Sequence, residues 1–178
     1  MAEVAQSLKM EEATLSELLA RGCKRLMEIR ANRIRPLLDD KVLLGWNALM
    51  NMAYCKAYEA TGNEKYRDQA LRNMDFLLSA FRDEKGQYRH TWKNGQARYP
   101  AFLDDLAFLL QAMLQLQQVT GDLNWLERSR ELVRLIIEKY QEPGTPYFFY
   151  TADDQEDVIV RKKEVYDGAL PSGNAVMA

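Results

Sequence analysis

Three short stretches hold the side chains best able to do chemistry. Asp39-Asp40-Lys41 precedes Trp46-Asn47, Tyr99 precedes Asp104-Asp105, and Asp167 precedes Ser172 and Asn174. Carboxylates, aromatic rings and amides in company suit a carbohydrate. A ring stacks on the apolar face of a sugar, while carboxylates bond hydroxyls or act as acid and base. Asp39, Asp40, Asp104, Asp105 and Asp167 are therefore the candidate catalytic groups. Trp46 and Tyr99 are candidate stacking platforms, and Lys41, Asn47, His90, Ser172 and Asn174 are further candidate substrate-binding residues.

Each residue also has a purely structural reading. Asp40 and Asp104 stand where an N-cap or helix-dipole partner contributes about 0.5–2 kcal/mol. Trp46 can pack between helices, and Lys41 can pair with Asp39 or Asp40 at little gain. Ser172-Gly173-Asn174 is also helix-start chemistry, and Arg89 and His90 suit a hairpin surface. What favours a site is that all three stretches fall at equivalent points of a repeat.

Thr61-Gly62 recurs as Thr120-Gly121, 59 residues on, with Tyr66 matched by Trp125 and Ala70 by Ser129. Residues 8–34 read as a helix, with Leu15, Leu18, Leu19, Cys23, Leu26, Met27 and Ile29 near helical spacing. Arg35-Pro36 ends it, and Asp39-Asp40-Lys41 is expected to open the next helix. From Val42 to Cys55 no residue is charged, which describes a helix enclosed on most sides. Thr61-Gly62 stops it, with glycine as the left-handed C-cap.

An amphipathic helix follows over 64–81, then a polar loop in which residues 87–92 suggest a short hairpin. The cycle repeats as the uncharged run Leu106–Val119, an amphipathic helix over 123–141, and a second long loop. That loop carries the strand-like run Tyr147-Phe148-Phe149-Tyr150 and the acidic turn Asp153-Asp154-Gln155-Glu156-Asp157.

Uncharged helices alternating with amphipathic ones describe an inner ring and an outer ring of antiparallel pairs. The period exceeds the usual solenoid repeats, so the expected fold class is all-α, with helical hairpins forming part of an α/α toroid. The hairpins are expected at about 8–34, 41–81 and 101–141, with another starting at 171. Six such hairpins need about 350 residues, so the 178-residue chain is expected to be part of a longer protein. A partial ring leaves inner-helix faces uncovered, and self-association through them is a possible consequence.

Composition narrows the classes. With 47% hydrophobic and 28% charged residues the chain is an ordinary globular sequence, and a net charge of −2 argues against a nucleic-acid surface. Cys23 and Cys55 stand apart, without a CxxC motif, and are expected to be buried free thiols. A single histidine makes no metal site, and no Ser or Cys nucleophile motif or phosphate loop occurs, so neither metal nor cofactor is expected. No run is long and apolar enough for a membrane span, and the acidic start does not read as a signal peptide; a cytoplasmic location is the expectation.

Three motifs in order, residues 33–47, Phe102-Leu103-Asp104-Asp105-Leu106-Ala107 and Tyr166-Asp167-Gly168-Ala169-Leu170-Pro171-Ser172-Gly173-Asn174, resemble the spermatogenesis-associated protein 20 family, which takes in thioredoxin domain-containing proteins of the YyaL type. The resemblance spans about residues 15–178. It implies a thioredoxin-like domain followed by an (α/α)6 toroid similar to N-acylglucosamine 2-epimerases and six-hairpin glycosidases. The thioredoxin-like part has no counterpart in these residues, so no redox function is carried over.

Epimerases of this kind use histidines as acid and base. His90 stands alone here, so a two-histidine mechanism is not carried over either. The sequence thus supports a toroid segment that binds or processes a carbohydrate-like ligand at the long-loop mouth. If it is enzymatic, the activity is hydrolase-like or epimerase-like. The alternative is a non-catalytic ligand-binding or protein-interaction scaffold accompanying a thioredoxin-like domain.

Overall fold

The structure, a computed structural model, describes residues 1–155 and 158–178. It divides into two units, Met1–Asp39 and Asp40–Ala178. The first holds α1 (Ala2–Ser7) and α2 (Glu12–Ala31). A left-handed residue, Lys9, separates them, so the helix expected from residue 8 starts at Glu12. Leu15 is buried, but Leu18, Leu19, Leu26, Met27 and Ile29 are exposed. Cys23 is exposed too, contrary to expectation, because it shares a helix with little apolar cover. The buried thiol is Cys55 in the second unit, where burial pushes its pKa up to about 11.

The second unit carries the repeat. Its elements are β1 (Val42–Leu43), α3 (Leu44–Thr61), α4 (Glu64–Ala80), β2 (Arg89–Lys93), β3 (Gln96–Pro100), α5 (Leu103–Thr120), α6 (Asn124–Tyr140) and α7 (Gly173–Met177). α3 and α5 are each 18 residues long, and α4 and α6 are each 17. The tight turns match bond for bond. Gly62 and Gly121 take φ 66° and 70°, and each donates its N–H at 2.8 Å to a carbonyl four residues back. Thr61 and Thr120 donate their hydroxyls to Ala57 and Leu116 carbonyls and accept the N–H of Asn63 and Asp122.

The predicted division into enclosed and amphipathic helices holds for α5 but not for α3, which leaves Trp46 and Met50 exposed because its packing is against α4 and α5 on one side. α5 packs against α3, α6 and α7, so its apolar residues point to several sides: Leu103, Leu106, Leu109, Met113 and Leu116 are all buried. Each such leucine contributes about 1.5–3 kcal/mol by leaving water. α3, α4 and α6 bury one stripe each, including Leu44, Ala48 and Cys55, Met74 and Leu77, and Leu132 and Ile136. One polar residue is fully enclosed. Asn51 on α3 donates to the Ala70 carbonyl at 2.7 Å and to Asn73 Oδ1 at 3.0 Å, which ties α3 to α4.

A small antiparallel sheet, β1-β2-β3, precedes α5. Val42 pairs with Trp92 and Leu43 with Thr91, so the helix expected to open at Asp39–Lys41 does not, and α3 begins at Leu44. Asn94 (φ 51°) and Gly95 (φ 77°) form the two-residue hairpin turn, both positive as such a turn requires. The run Tyr147–Tyr150 makes only one bridge, Gln141 with Phe148, and no strand. Of the acidic turn, Glu156 and Asp157 lie outside the described residues. No helix among the described residues is long and apolar enough to cross a membrane.

Candidate functional site

The starts of α3, α5 and α7 meet at one place, and the Asp104-Asp105 pair holds them there. The two carboxylates reach opposite ways. Asp105 Oδ1 accepts the Gly45 N–H at 2.9 Å, one residue into α3. Asp104 Oδ1 accepts the Gly173 N–H at 2.7 Å, at the first residue of α7. Both partners are glycine for a steric reason. A Cβ on Gly45 would lie 2.9 Å from Asp105 Oδ1, and one on Gly173 would lie 2.6 Å from Asp104 Oδ1 and 2.7 Å from Leu103 Cγ.

Asp105 does more than bridge. It is only 4% exposed, and its Oδ2 accepts the Phe102 N–H at 2.9 Å, the reach-back half of a capping box. The same oxygen lies 2.8 Å from His90 Nδ1, which fixes the imidazole orientation and leaves Nε2 as the nitrogen without this partner. The hydrogen bond that His90 donates to Asp105 raises the His90 pKa, against burial and the nearby charge of Lys41.

Aromatic rings continue from the imidazole. Phe102 lies 4.9 Å from His90, tilted, and Tyr150 stacks on Phe102 at 4.7 Å, nearly parallel. Tyr150 is drawn in by its own backbone, since its carbonyl accepts the Leu103 N–H at 2.9 Å. Burial raises the Asp104 pKa, the Gly173 N–H opposes this, and Glu164 and Asp105 add to it. Burial likewise raises the Tyr150 phenol, with Asp104, Asp105 and Glu164 adding. Two carboxylic groups, a phenol and an imidazole thus share one electrostatic neighbourhood.

The other candidates have positions and partners of their own. Asp40 forms an ion pair with Lys93 on β2, which lowers its pKa. Asp39 closes the first unit. Asn47 Nδ2 donates to the Leu43 carbonyl at 2.9 Å. Trp46, 65% exposed, stands at the start of α3. Tyr99, 63% exposed, occupies a left-handed conformation (φ 61°) between Arg98 and Pro100 on β3.

Asp167 Oδ1 accepts the Ser172 N–H, and Ser172 Oγ caps α7 by accepting the Ala175 N–H. Asn174 straps the second long loop down. It accepts the Phe148 N–H and donates to the Phe148 and Glu164 carbonyls, at 2.8, 2.9 and 2.9 Å. Gly45, Phe102, Tyr150, Glu164 and Gly173 escaped the sequence reading. The shared signal was a glycine at each helix start, Leu44-Gly45 and Ser172-Gly173, opposite a paired aspartate.

No group of three or more His, Cys, Asp or Glu among the described residues could hold a metal ion. A cavity of about 840 Å³ lies between α4 and α6, lined by Asp75, Arg82, Trp125 and Glu131 among others, and none of the candidate site residues borders it.

Helical hairpins with enclosed inner and amphipathic outer members, their inner N-termini gathered at one end, are the repeat unit of an (α/α)6 toroid. Solved structures agree. Cellobiose 2-epimerase from Bacillus thermoamylovorans superposes with a TM-score of 0.56 at 18% identity, over 64% of this chain and 33% of that one. A family 105 glycoside hydrolase from C. acetobutylicum gives 0.61 at 14% identity, over 78% and 41%. At such identities the likeness establishes the fold.

The chain belongs to the N-acylglucosamine 2-epimerase (GlcNAc 2-epimerase) family, whose profile matches residues 37–158. It is similar to spermatogenesis-associated protein 20 of Mus musculus, 31% identical over 95% of this chain and 23% of that protein, as its three motifs implied. The chain spans about a quarter of the length of the curated relatives it matches.

Proposed function

We propose that the chain supplies part of a carbohydrate-processing site at its long-loop end, with His90 as the acid–base residue. The observation that carries this reading is the 2.8 Å contact between His90 Nδ1 and Asp105. A buried carboxylate on one ring nitrogen sets the tautomer and strengthens the base at the other. Asp105 is then a positioning residue, its oxygens already committed to two backbone N–H groups and the imidazole. Asp104, with one hydrogen bond and a raised pKa, is the carboxyl group suited to donate to or accept from a hydroxyl. Trp46 and Tyr99 present exposed rings for stacking, as sugar recognition demands.

Family membership and the named activities of structural neighbours, a cellobiose 2-epimerase and glycoside hydrolases, support sugar chemistry of this general kind. Epimerisation beside a carbonyl requires a base to remove a carbon-bound proton, the task proposed for His90, and an acid to return a proton to the opposite face, which another group or water must supply. The test is to incubate protein with aldoses in deuterated water and follow deuterium entry next to the carbonyl carbon. Uptake lost in His90→Gln is expected. Failure of every aldose to perturb the His90 ring and Trp46 resonances overturns the reading.

A non-catalytic scaffold is the second reading, and one observation favours it. Asp104, Asp105, Asp167 and Asn174 all accept backbone N–H groups that hold helix starts and loops. Sugar binding without turnover, unchanged in Asp104→Asn, is its signature.

A further inference from the structure

The second long loop contributes Tyr150, a half-buried phenol, to the aromatic row that begins at His90. Its backbone is fixed on both sides. The N–H donates to the Lys162 carbonyl at 2.7 Å, and the carbonyl accepts the Leu103 N–H at 2.9 Å. Its ring lies on Phe102 at 4.7 Å with 14° between the planes. A ring held by its own backbone and by a stacked neighbour keeps its hydroxyl in one place.

That hydroxyl is uncommitted. Enclosed tyrosines usually place theirs. Tyr140 donates to the Ala101 carbonyl at 2.7 Å, and Tyr88 accepts from Arg82 at 2.8 Å. Among the described residues the Tyr150 hydroxyl has no such partner. Nor is it one of the sealed polar atoms left unpaired there, which are Trp125 Nε1, Thr151 Oγ1 and Gln155 Oε1. The oxygen is therefore open to a ligand.

Phe102 fixes how far Tyr150 stands from His90. It touches the imidazole at 4.9 Å and the phenol at 4.7 Å, so those two ring centres are no more than about 10 Å apart. A base about 3 Å from a carbon and a donor about 3 Å from the neighbouring carbonyl oxygen stand roughly 6–8 Å apart. That span falls inside the limit. The two groups are also prepared for different tasks. Asp105 on Nδ1 leaves Nε2 of His90 to take a proton. Burial, then Asp104, Asp105 and Glu164, holds the phenol above its ordinary range, so Tyr150 remains a donor.

We infer that Tyr150 is a second catalytic residue, donating its phenolic O–H to the carbonyl oxygen of the sugar while His90 removes a proton from the adjoining carbon. The inference rests on the carbohydrate reading above and adds the group that stabilises its intermediate. As the C–H bond breaks, the proton passes to His90 Nε2. The electron pair forms a carbon–carbon double bond and moves the carbonyl electrons onto oxygen. The Tyr150 hydrogen bond strengthens on that oxygen without giving up its proton. When a proton returns to the carbon, the electrons flow back and the phenol is unchanged. A donor of this kind favours the intermediate over the bound sugar, so it raises kcat and leaves KM nearly alone.

Tyr150→Phe tests the inference, because it removes the oxygen and keeps a ring on Phe102. Deuterium entry next to the carbonyl carbon of D-arabinose and other aldoses is followed in the full chain and in the variant. Binding of D-arabinonohydroxamate, whose planar pair of oxygens imitates the intermediate, is compared with binding of D-arabinose. In the variant kcat for exchange is expected to fall about 100-fold or more, with KM within about threefold. The preference for the hydroxamate should fall about tenfold or more. The NMR titration of His90 should be unchanged. The wild-type rate should rise with pH through the His90 pKa and stay level toward about pH 10, the ordinary phenol value.

A variant rate within about threefold of the wild type overturns the inference. So does a loss confined to KM, or one accompanied by a displaced His90 titration, the mark of a structural role. If the wild type binds aldoses without exchange, an equal hydroxamate preference in the two proteins overturns it as well. The two readings fail differently. Wild-type exchange that survives Tyr150→Phe leaves the sugar reading standing and removes the role of Tyr150. A wild type that neither binds nor exchanges any aldose removes the sugar reading, and the role of Tyr150 with it.

Discussion

The two junctions on either side of the α5 start use the same chemistry to different ends. At the α3 junction, Asp105 is buried and accepts from Gly45, Phe102 and His90. At the α7 junction, Asp104 is half-buried and accepts from Gly173. Adjacent aspartates on a helix diverge by about 100°, which is why one dipeptide can serve two neighbours. The difference teaches that an aspartate's environment, not its place in a motif, decides whether it holds structure or stays available. A carboxylate with its lone pairs already taken is a strut, whereas one with a single bond and a raised pKa retains capacity for a ligand.

The comparison breaks most sharply at Asp105. Asp105→Ala strands two backbone N–H groups and the imidazole, and should destabilise the protein by about 3–5 kcal/mol in urea unfolding. The same change at Asp104 should cost about 1–2 kcal/mol. Equal losses would erase the distinction between the junctions.

The glycines come next. Gly173→Ala forces a methyl within 2.6 Å of Asp104 and against Leu103, and should cost about 1–3 kcal/mol while leaving the His90 titration unmoved. Gly45→Ala should cost a similar amount, about 1–3 kcal/mol, but also displace Asp105 and lower the His90 pKa as followed by NMR.

Asp104→Asn sharpens the contrast by its sign. The folded-state pKa of Asp104 lies above 3.8, so the native chain holds this proton more tightly than the unfolded one. Stability from this group is therefore present at low pH and declines as pH rises from about 3.8 through the folded value. Asparagine keeps an acceptor for Gly173 and has no charge to bury. The variant should be as stable as the parent or slightly more so at pH 7, and should lack that acid-range slope. Asp105→Asn should be destabilising at the same pH.

The smallest effect belongs to His90. Its folded pKa is raised above 6.5, so its contribution is complete below that value and is lost as pH climbs through the folded pKa. His90→Gln should remove this part of the stability–pH slope and change little else. An unchanged slope would mean that Asp105 does not hold the protonated ring.

The local features were legible because local physics produces them. Glycine after threonine at 62 and 121 is the residue a left-handed cap requires, and the uncharged and amphipathic stretches follow from which faces meet water. The hairpin was visible in the alternation of residues 87–92 for the same reason. Its full extent was not, nor was the pairing that pulls Val42 and Leu43 out of the α3 helix, because strand partners come from elsewhere in the chain.

The site divides along the same line. By itself the sequence determined a repeating pair of enclosed and amphipathic helices, and it placed carboxylates, aromatics and an amide at equivalent helix starts. Only the tertiary structure decided which way each carboxylate points. The partners of Asp105 lie 60, 15 and 3 residues away, and that of Asp104 lies 69 away. No periodicity records such separations. They arise when packing of α3 and α7 against α5 brings three helix starts together and leaves their N–H groups in need of an acceptor.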